Sequence, residues 1–110
     1  MGARNMINID YRDTLDRLVV AFCRDYSARK EAIKHGTCQK RTRMEYEYIN
    51  GRIEDAAREI VGNKYEIYIN EIGYYIGYAN SRVDNVCENI YKNLKKEVKI
   101  NIARKLHLID

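Results

Sequence analysis

Apolar residues recur every three or four positions along most of this chain, the period of a helix with one buried face. Leu15, Leu18, Val19, Phe22, Tyr26 and Ile33 form the first such stripe and predict a helix over 10–35, with Tyr11 and Cys23 flanking it. Asp10 and Asp13 stand near its start, where carboxylates suit the helix dipole, and Gly36 is a natural stop. A polar link, 37–42, leads to a second helix whose start is marked by Thr42 and Glu45 as a capping box. Its stripe is Met44, Tyr48, Ile53, Ala56, Ala57 and Ile60, with Gly51 inside and Gly62 at the end. Two long helices joined by so short a link are expected to pack as an antiparallel hairpin.

Asn63 and Glu66 are a further cap, opening a third helix that runs to about Ile76 with Tyr65, Ile69, Ile72 and Ile76 on one face. Its Tyr and Ile content would also suit a strand, but strict period-two alternation is missing. After Gly77, residues 80–106 read as a final helix: Val83, Val86 or Cys87, Ile90, Leu94, Val98, Ile102 and Leu106 make its apolar stripe, with lysines opposite. The expected fold is all-α, a four-helix single domain over 1–110 with a long N-terminal helical hairpin.

Residues 69–90 also carry the spacing of a helix-turn-helix, in which two helices meet at a sharp angle through a short turn. Ile72 is the apolar anchor, Gly73 the small residue where the second helix would cross, and Ile76 the last apolar residue of the first helix. Gly77 falls where the turn wants a positive φ. Asn80 or Ser81 would cap the second helix, and Val83 and Val86 would point inward.

Composition narrows the function classes. The chain has 110 residues, enough for one domain, and contains no proline and six glycines, which favours helices joined by short turns. No apolar run reaches the length of a membrane span, and Met1–Asp10 has no leader-like apolar core, so a cytoplasmic protein is expected. Cys23, Cys38 and Cys87 are odd in number and widely spaced, which fits reduced thiols; with His35 and His107 they complete no metal motif, so no metal or cofactor is expected. Phosphate loops, nucleotide fingerprints and nucleophile elbows are absent, and no enzymatic activity is expected. The formal net charge is +4, and the basic excess concentrates at the end: residues 91–110 carry six basic and two acidic groups, whereas 63–90 carry two and four. A basic patch of this kind is either a nucleic-acid footprint or a solvated helix face.

The run Glu71-Ile-Gly-Tyr-Tyr-Ile-Gly-Tyr-Ala-Asn-Ser-Arg-Val83 resembles the helix-turn-helix of bacterial sigma-factor region four and of the phage regulators of the ArpU and RinA type. The following lysine-rich helix, closing on Ile102-Ala-Arg-Lys-Leu106, is similar to the end of those phage regulators. The resemblance covers about residues 45–106 and implies a transcriptional regulator of phage or prophage type that binds double-stranded DNA, with RNA polymerase as a possible further partner. A homodimer is expected, since one recognition helix reads few base pairs. The candidate contacts are Asn80, Ser81, Arg82, Asn85 and Asn89, with Lys92, Lys95 and Lys96 for phosphate. Asp84 and Glu88 depart from the pattern, because carboxylates there would face phosphates. The alternative is a helical protein–protein module whose degenerate helix-turn-helix serves packing alone; an exposed apolar stripe over 90–106 would favour it, a basic stripe continuous with Arg82 would favour DNA. Most of the ten tyrosines suit half-buried positions, with Tyr74 and Tyr78 kept as contact candidates.

Overall fold

A computed structural model describes residues 11–109. The expectations placed on Met1–Asp10, including Asp10 at a helix start, lie outside them. The described residues are all-α and contain no strand. Among the described residues five α-helices follow one another: α1 (Asp13–Arg24), α2 (Tyr26–His35), α3 (Lys40–Val61), α4 (Tyr65–Gly73) and α5 (Glu88–Lys105). Short 3-10 turns occupy Gly62–Lys64 and Tyr78–Asn80. Among the described residues no helix is long and apolar enough to cross a membrane.

The core is built where α3 meets α5 and where α1 meets α4 and α5. Val19, Val20 and Cys23 of α1, Ile53, Ala56 and Ala57 of α3, Ile69 and Ile72 of α4, and Val98, Ile102 and Ala103 of α5 are all buried. Small residues at 56, 57 and 103 let α3 and α5 approach closely. Asn101 uses that closeness: its Nδ2 donates to the Ala56 carbonyl at 2.9 Å and to Glu59 Oε1 at 3.0 Å.

The hairpin expected from the first 62 residues is present only in part. The first helix is interrupted at Asp25, so α2 alone pairs with α3, and α1 turns away onto α4 and α5. Buried Arg29 explains the break. Its guanidinium donates to the Phe22 carbonyl, and its Nε donates to Asn50 Oδ1 at 2.6 Å. A side chain that captures a carbonyl of the helical ladder is a usual cause of a kink. Asn50 completes the link by donating to the Tyr26 carbonyl at 3.2 Å.

The capping boxes are not formed. α3 starts two residues before Thr42, and no side chain caps α3 or α4. Glu66 pairs instead with Lys30 and accepts from the Tyr26 hydroxyl, and both contacts hold its carboxyl below the usual range. Met44 and Tyr48, expected on the buried stripe, are exposed, because the buried residues of α3 all lie at Asn50 or later. The first half of α3 runs beside α2 and turns Thr42, Tyr46, Ile49 and Asn50 inward instead, so Met44 and Tyr48 fall on another face. Leu18 and Ile90 are likewise exposed.

Three helices end in the same way. In a Schellman cap a left-handed residue follows the helix, its N–H and the next one pairing back to the last turn. Gly36 does this for α2, with φ 63, as its stop position predicts. Tyr75 does it for α4, with φ 56: its N–H donates to Ile72 O at 3.4 Å, and that of Ile76 donates to Glu71 O at 2.9 Å. His107 does it for α5, with φ 60. The positive φ near the expected turn thus belongs to Tyr75, not to Gly77, whose φ is −89.

Burial also orders the thiols. Cys23 is buried, which pushes its thiol up to about 12, whereas Cys87 is exposed. A maleimide reagent is expected to label Cys87 quickly in the native protein and Cys23 only on unfolding; prompt native labelling of Cys23 would contradict this packing.

Candidate nucleic-acid interface

The helix-turn-helix expected over 69–90 is not formed. Fourteen residues, 74–87, separate α4 from α5, and the expected recognition helix is replaced by the 3-10 turn and an extended stretch. The reason is Glu71. It lies on the inner face of α4 and is 1% exposed. Its Oε1 accepts from the Ser81 hydroxyl at 2.6 Å and from the Tyr91 hydroxyl at 2.7 Å, and its Oε2 accepts from the Arg82 N–H at 2.6 Å. Ser81 is held extended, and its Oγ in turn accepts from the Val83 N–H at 2.9 Å. Further on, the Tyr78 hydroxyl donates to the Val86 carbonyl at 2.8 Å, and Asn85 stands at φ 59, a value no helical residue has. These local bonds capture the backbone groups of the segment, so helix begins only at Glu88.

Gly73 is indeed a close-approach residue, but its neighbour is α1. A Cβ at Gly73 would lie 2.6 Å from Arg24 N and 2.8 Å from the Cys23 carbonyl carbon. Arg24 fastens the contact from its side, its Nε donating to the Gly73 carbonyl at 3.0 Å.

The eight candidate contacts therefore part company. Asn80 and Arg82 line a groove of about 490 Å³ together with Tyr26, Lys30, Glu31 and Glu66, a lining of mixed sign. Ser81 is committed to Glu71 and Val83. Asn85 and Asn89 are exposed, the first in the loop and the second in the first turn of α5. Lys92, Lys95 and Lys96 come together, and Lys99 joins them, in a cleft of about 420 Å³ that also takes in Arg12, Tyr78 and Tyr91. The steps 92, 95, 96, 99 place all four lysines on one helix face.

The lysines differ in their freedom. Lys92 pairs with Glu88 at 2.7 Å and Lys99 with Asp16 at 2.9 Å. Lys95 lies over the Tyr91 ring, 5.1 Å from its centre, and donates to the Ile76 carbonyl at 2.7 Å. Burial, and then the nearby charge of Lys99, lower its pKa below the ordinary lysine value. Lys96 is exposed. Asp13 and Asp16 also line the cleft and reduce its positive charge.

Among the basic residues of this cleft, Lys99 and Arg12 are absent from the candidate contacts read from the sequence, whereas Tyr78 is one of the two tyrosines kept there as contact candidates. The helical register of 92, 95 and 96 points to Lys99. Arg12 arrives from the stretch before α1, and nothing local marks it. The apolar stripe of α5 is mostly turned inward, with Val98 and Ile102 buried, and the lysine face is not continuous with Arg82, which lines the other groove. Comparison with protein-family models, curated proteins and solved structures gives no match for this chain.

Proposed function

We propose that this chain is a DNA-binding protein of transcriptional control that holds the phosphate backbone of double-stranded DNA with the lysine face of α5. The observation that carries this reading is the cleft in which Lys92, Lys95, Lys96 and Lys99 stand on one face beside Tyr78 and Arg12. Lysine-rich faces bind phosphates without reading sequence, so affinity should fall steeply with salt. Without a helix over 80–87, base readout by Asn80, Arg82 and Asn85 has no rigid support, and low sequence specificity follows. A regulator of phage or prophage type is the biological setting that the resemblance over about residues 45–106 would supply.

Binding of a labelled 20-base-pair duplex over a salt series tests it. Lys96→Ala is expected to weaken binding and to lower the slope of log affinity against log salt by about 0.9, the share of one phosphate contact. Arg82→Ala combined with Asn85→Ala is expected to leave both unchanged. No duplex binding at low salt would reject the proposal. The second reading is a helical protein–protein module without nucleic-acid binding. It is favoured by Met44 and Tyr48, exposed one turn apart on the first half of α3.

A further inference from the structure

Tyr74 and Tyr75 are exposed at 53% and 65%, the second in a backbone conformation that a bulky residue rarely adopts. Both rings lie against one cation: the Arg24 guanidinium carbon is 5.8 Å from the centre of Tyr74 and 5.6 Å from that of Tyr75. Arg24 is itself pinned by its bond to the Gly73 carbonyl. The rings are therefore held ready at the surface, with positive charge beside them. The segment that carries them runs on into the lysine cleft. Lys95 is bonded to the carbonyl of Ile76, the residue after Tyr75, and Tyr78 lines the cleft three residues on. Three residues of chain span at most about 11 Å.

We infer that Tyr74, Tyr75 and Arg24 form a stacking platform for unpaired bases, whose backbone the neighbouring lysine face holds, so that single-stranded DNA is the preferred ligand of this surface. Exposed aromatic rings beside a cationic track are what single-strand binding requires: every base offers a face to stack on, and the lysines follow the phosphates. In a duplex those faces are already stacked, so the tyrosines gain nothing there. The inference rests on the DNA-binding reading and ranks the single strand above the duplex as its ligand.

The left-handed cap supplies a test that separates binding from folding. Glycine is the residue that suits φ 56, so Tyr75→Gly removes the ring while relieving the backbone. Fluorescence anisotropy with a 20-nucleotide oligothymidylate and a 20-base-pair duplex, alongside thermal unfolding, gives the readouts. The native protein is expected to bind the single strand more tightly than the duplex. Tyr75→Gly is expected to melt higher yet bind the single strand about tenfold more weakly, with duplex binding little changed. Tyr74→Ala should weaken the single strand in the same sense, and Lys96→Ala should weaken both ligands. Duplex binding that equals or exceeds single-strand binding, or single-strand affinity untouched in Tyr75→Gly, overturns the platform and leaves the DNA-binding reading standing. Absence of binding to either ligand overturns both.

Discussion

Gly73→Ala is expected to destabilise the fold by about 3 kcal/mol, a large loss for one methyl group. The new Cβ would meet Arg24 N at 2.6 Å, Arg24 Cα at 2.7 Å and the Cys23 carbonyl carbon at 2.8 Å. All three are backbone atoms, so no rotamer change can relieve the overlap. α4 would have to move off α1, and Val19, Val20 and Cys23 would separate from Ile69 and Ile72, which pack in the same core. The two other glycines available as controls sit in open space. A Cβ at Gly51 or at Gly77 meets nothing within 4 Å, and neither has a positive φ. Gly51→Ala lies inside α3 and is expected to stabilise by up to about 1 kcal/mol through helix propensity. Gly77→Ala is expected to be neutral or mildly stabilising. Urea unfolding of the three variants makes the comparison; a Gly73→Ala protein as stable as the native one would mean that α1 and α4 do not touch as described.

How much of this was readable beforehand differs from element to element. The apolar spacing of 44–60 and 90–106 was strong enough to announce α3 and α5, and Gly36 and Gly62 marked true ends. All-α character follows from that periodicity and from the lack of proline. The break at Asp25 was hidden, because it depends on Arg29 reaching Asn50 from a different helix. Met44 and Tyr48 stand exposed for a related reason: apolar spacing marks one stripe on α3, whereas the face turned inward beside α2 carries Thr42, Tyr46, Ile49 and Asn50. Gly73 was correctly singled out as a place of close approach, although the approaching element is α1, 49 residues earlier. The expected helix over 80–87 failed because its pattern of Asn, Ser and Val is equally compatible with an extended segment. Only the acceptor buried beneath it decides between the two, and Glu71 carries no sign in the sequence that it is buried. Part of the lysine cleft was legible as a helical face and Tyr78 as a contact candidate, whereas Arg12, and the placing of Tyr78 beside the lysines, needed the tertiary arrangement.

Glu71→Ala is expected to cost about 3–4 kcal/mol, and it distinguishes an acceptor from a filler of space. Three donors converge on this carboxylate: the hydroxyls of Ser81 and Tyr91 and the N–H of Arg82. Removing it strips the half-buried start of the 81–87 stretch of its anchor and leaves the Arg82 N–H without that acceptor. Tyr91 is less exposed to the loss, because its hydroxyl also donates to the Ile76 carbonyl at 3.1 Å. That second bond predicts the outcome of Glu71→Gln. The amide oxygen can keep the Arg82 N–H, and its NH2 can face Ser81 and Tyr91 if their hydroxyls turn to accept. Tyr91 can then donate to Ile76, so every group keeps a partner and the expected cost is only about 1 kcal/mol. Denaturant unfolding measures the two costs, and hydrogen exchange at the Arg82 amide reports the anchor directly: rapid exchange in the alanine variant, near-native protection in the glutamine variant. Equal losses in both would show that the negative charge, not the number of acceptors, holds this segment. The same anchor joins fold to site. Ile76, the carbonyl partner of both Tyr91 and Lys95, lies between the exposed tyrosines and the lysine cleft. Loosening 74–87 through Glu71→Ala should therefore weaken DNA binding beyond what lost stability explains, even at temperatures where the variant remains folded.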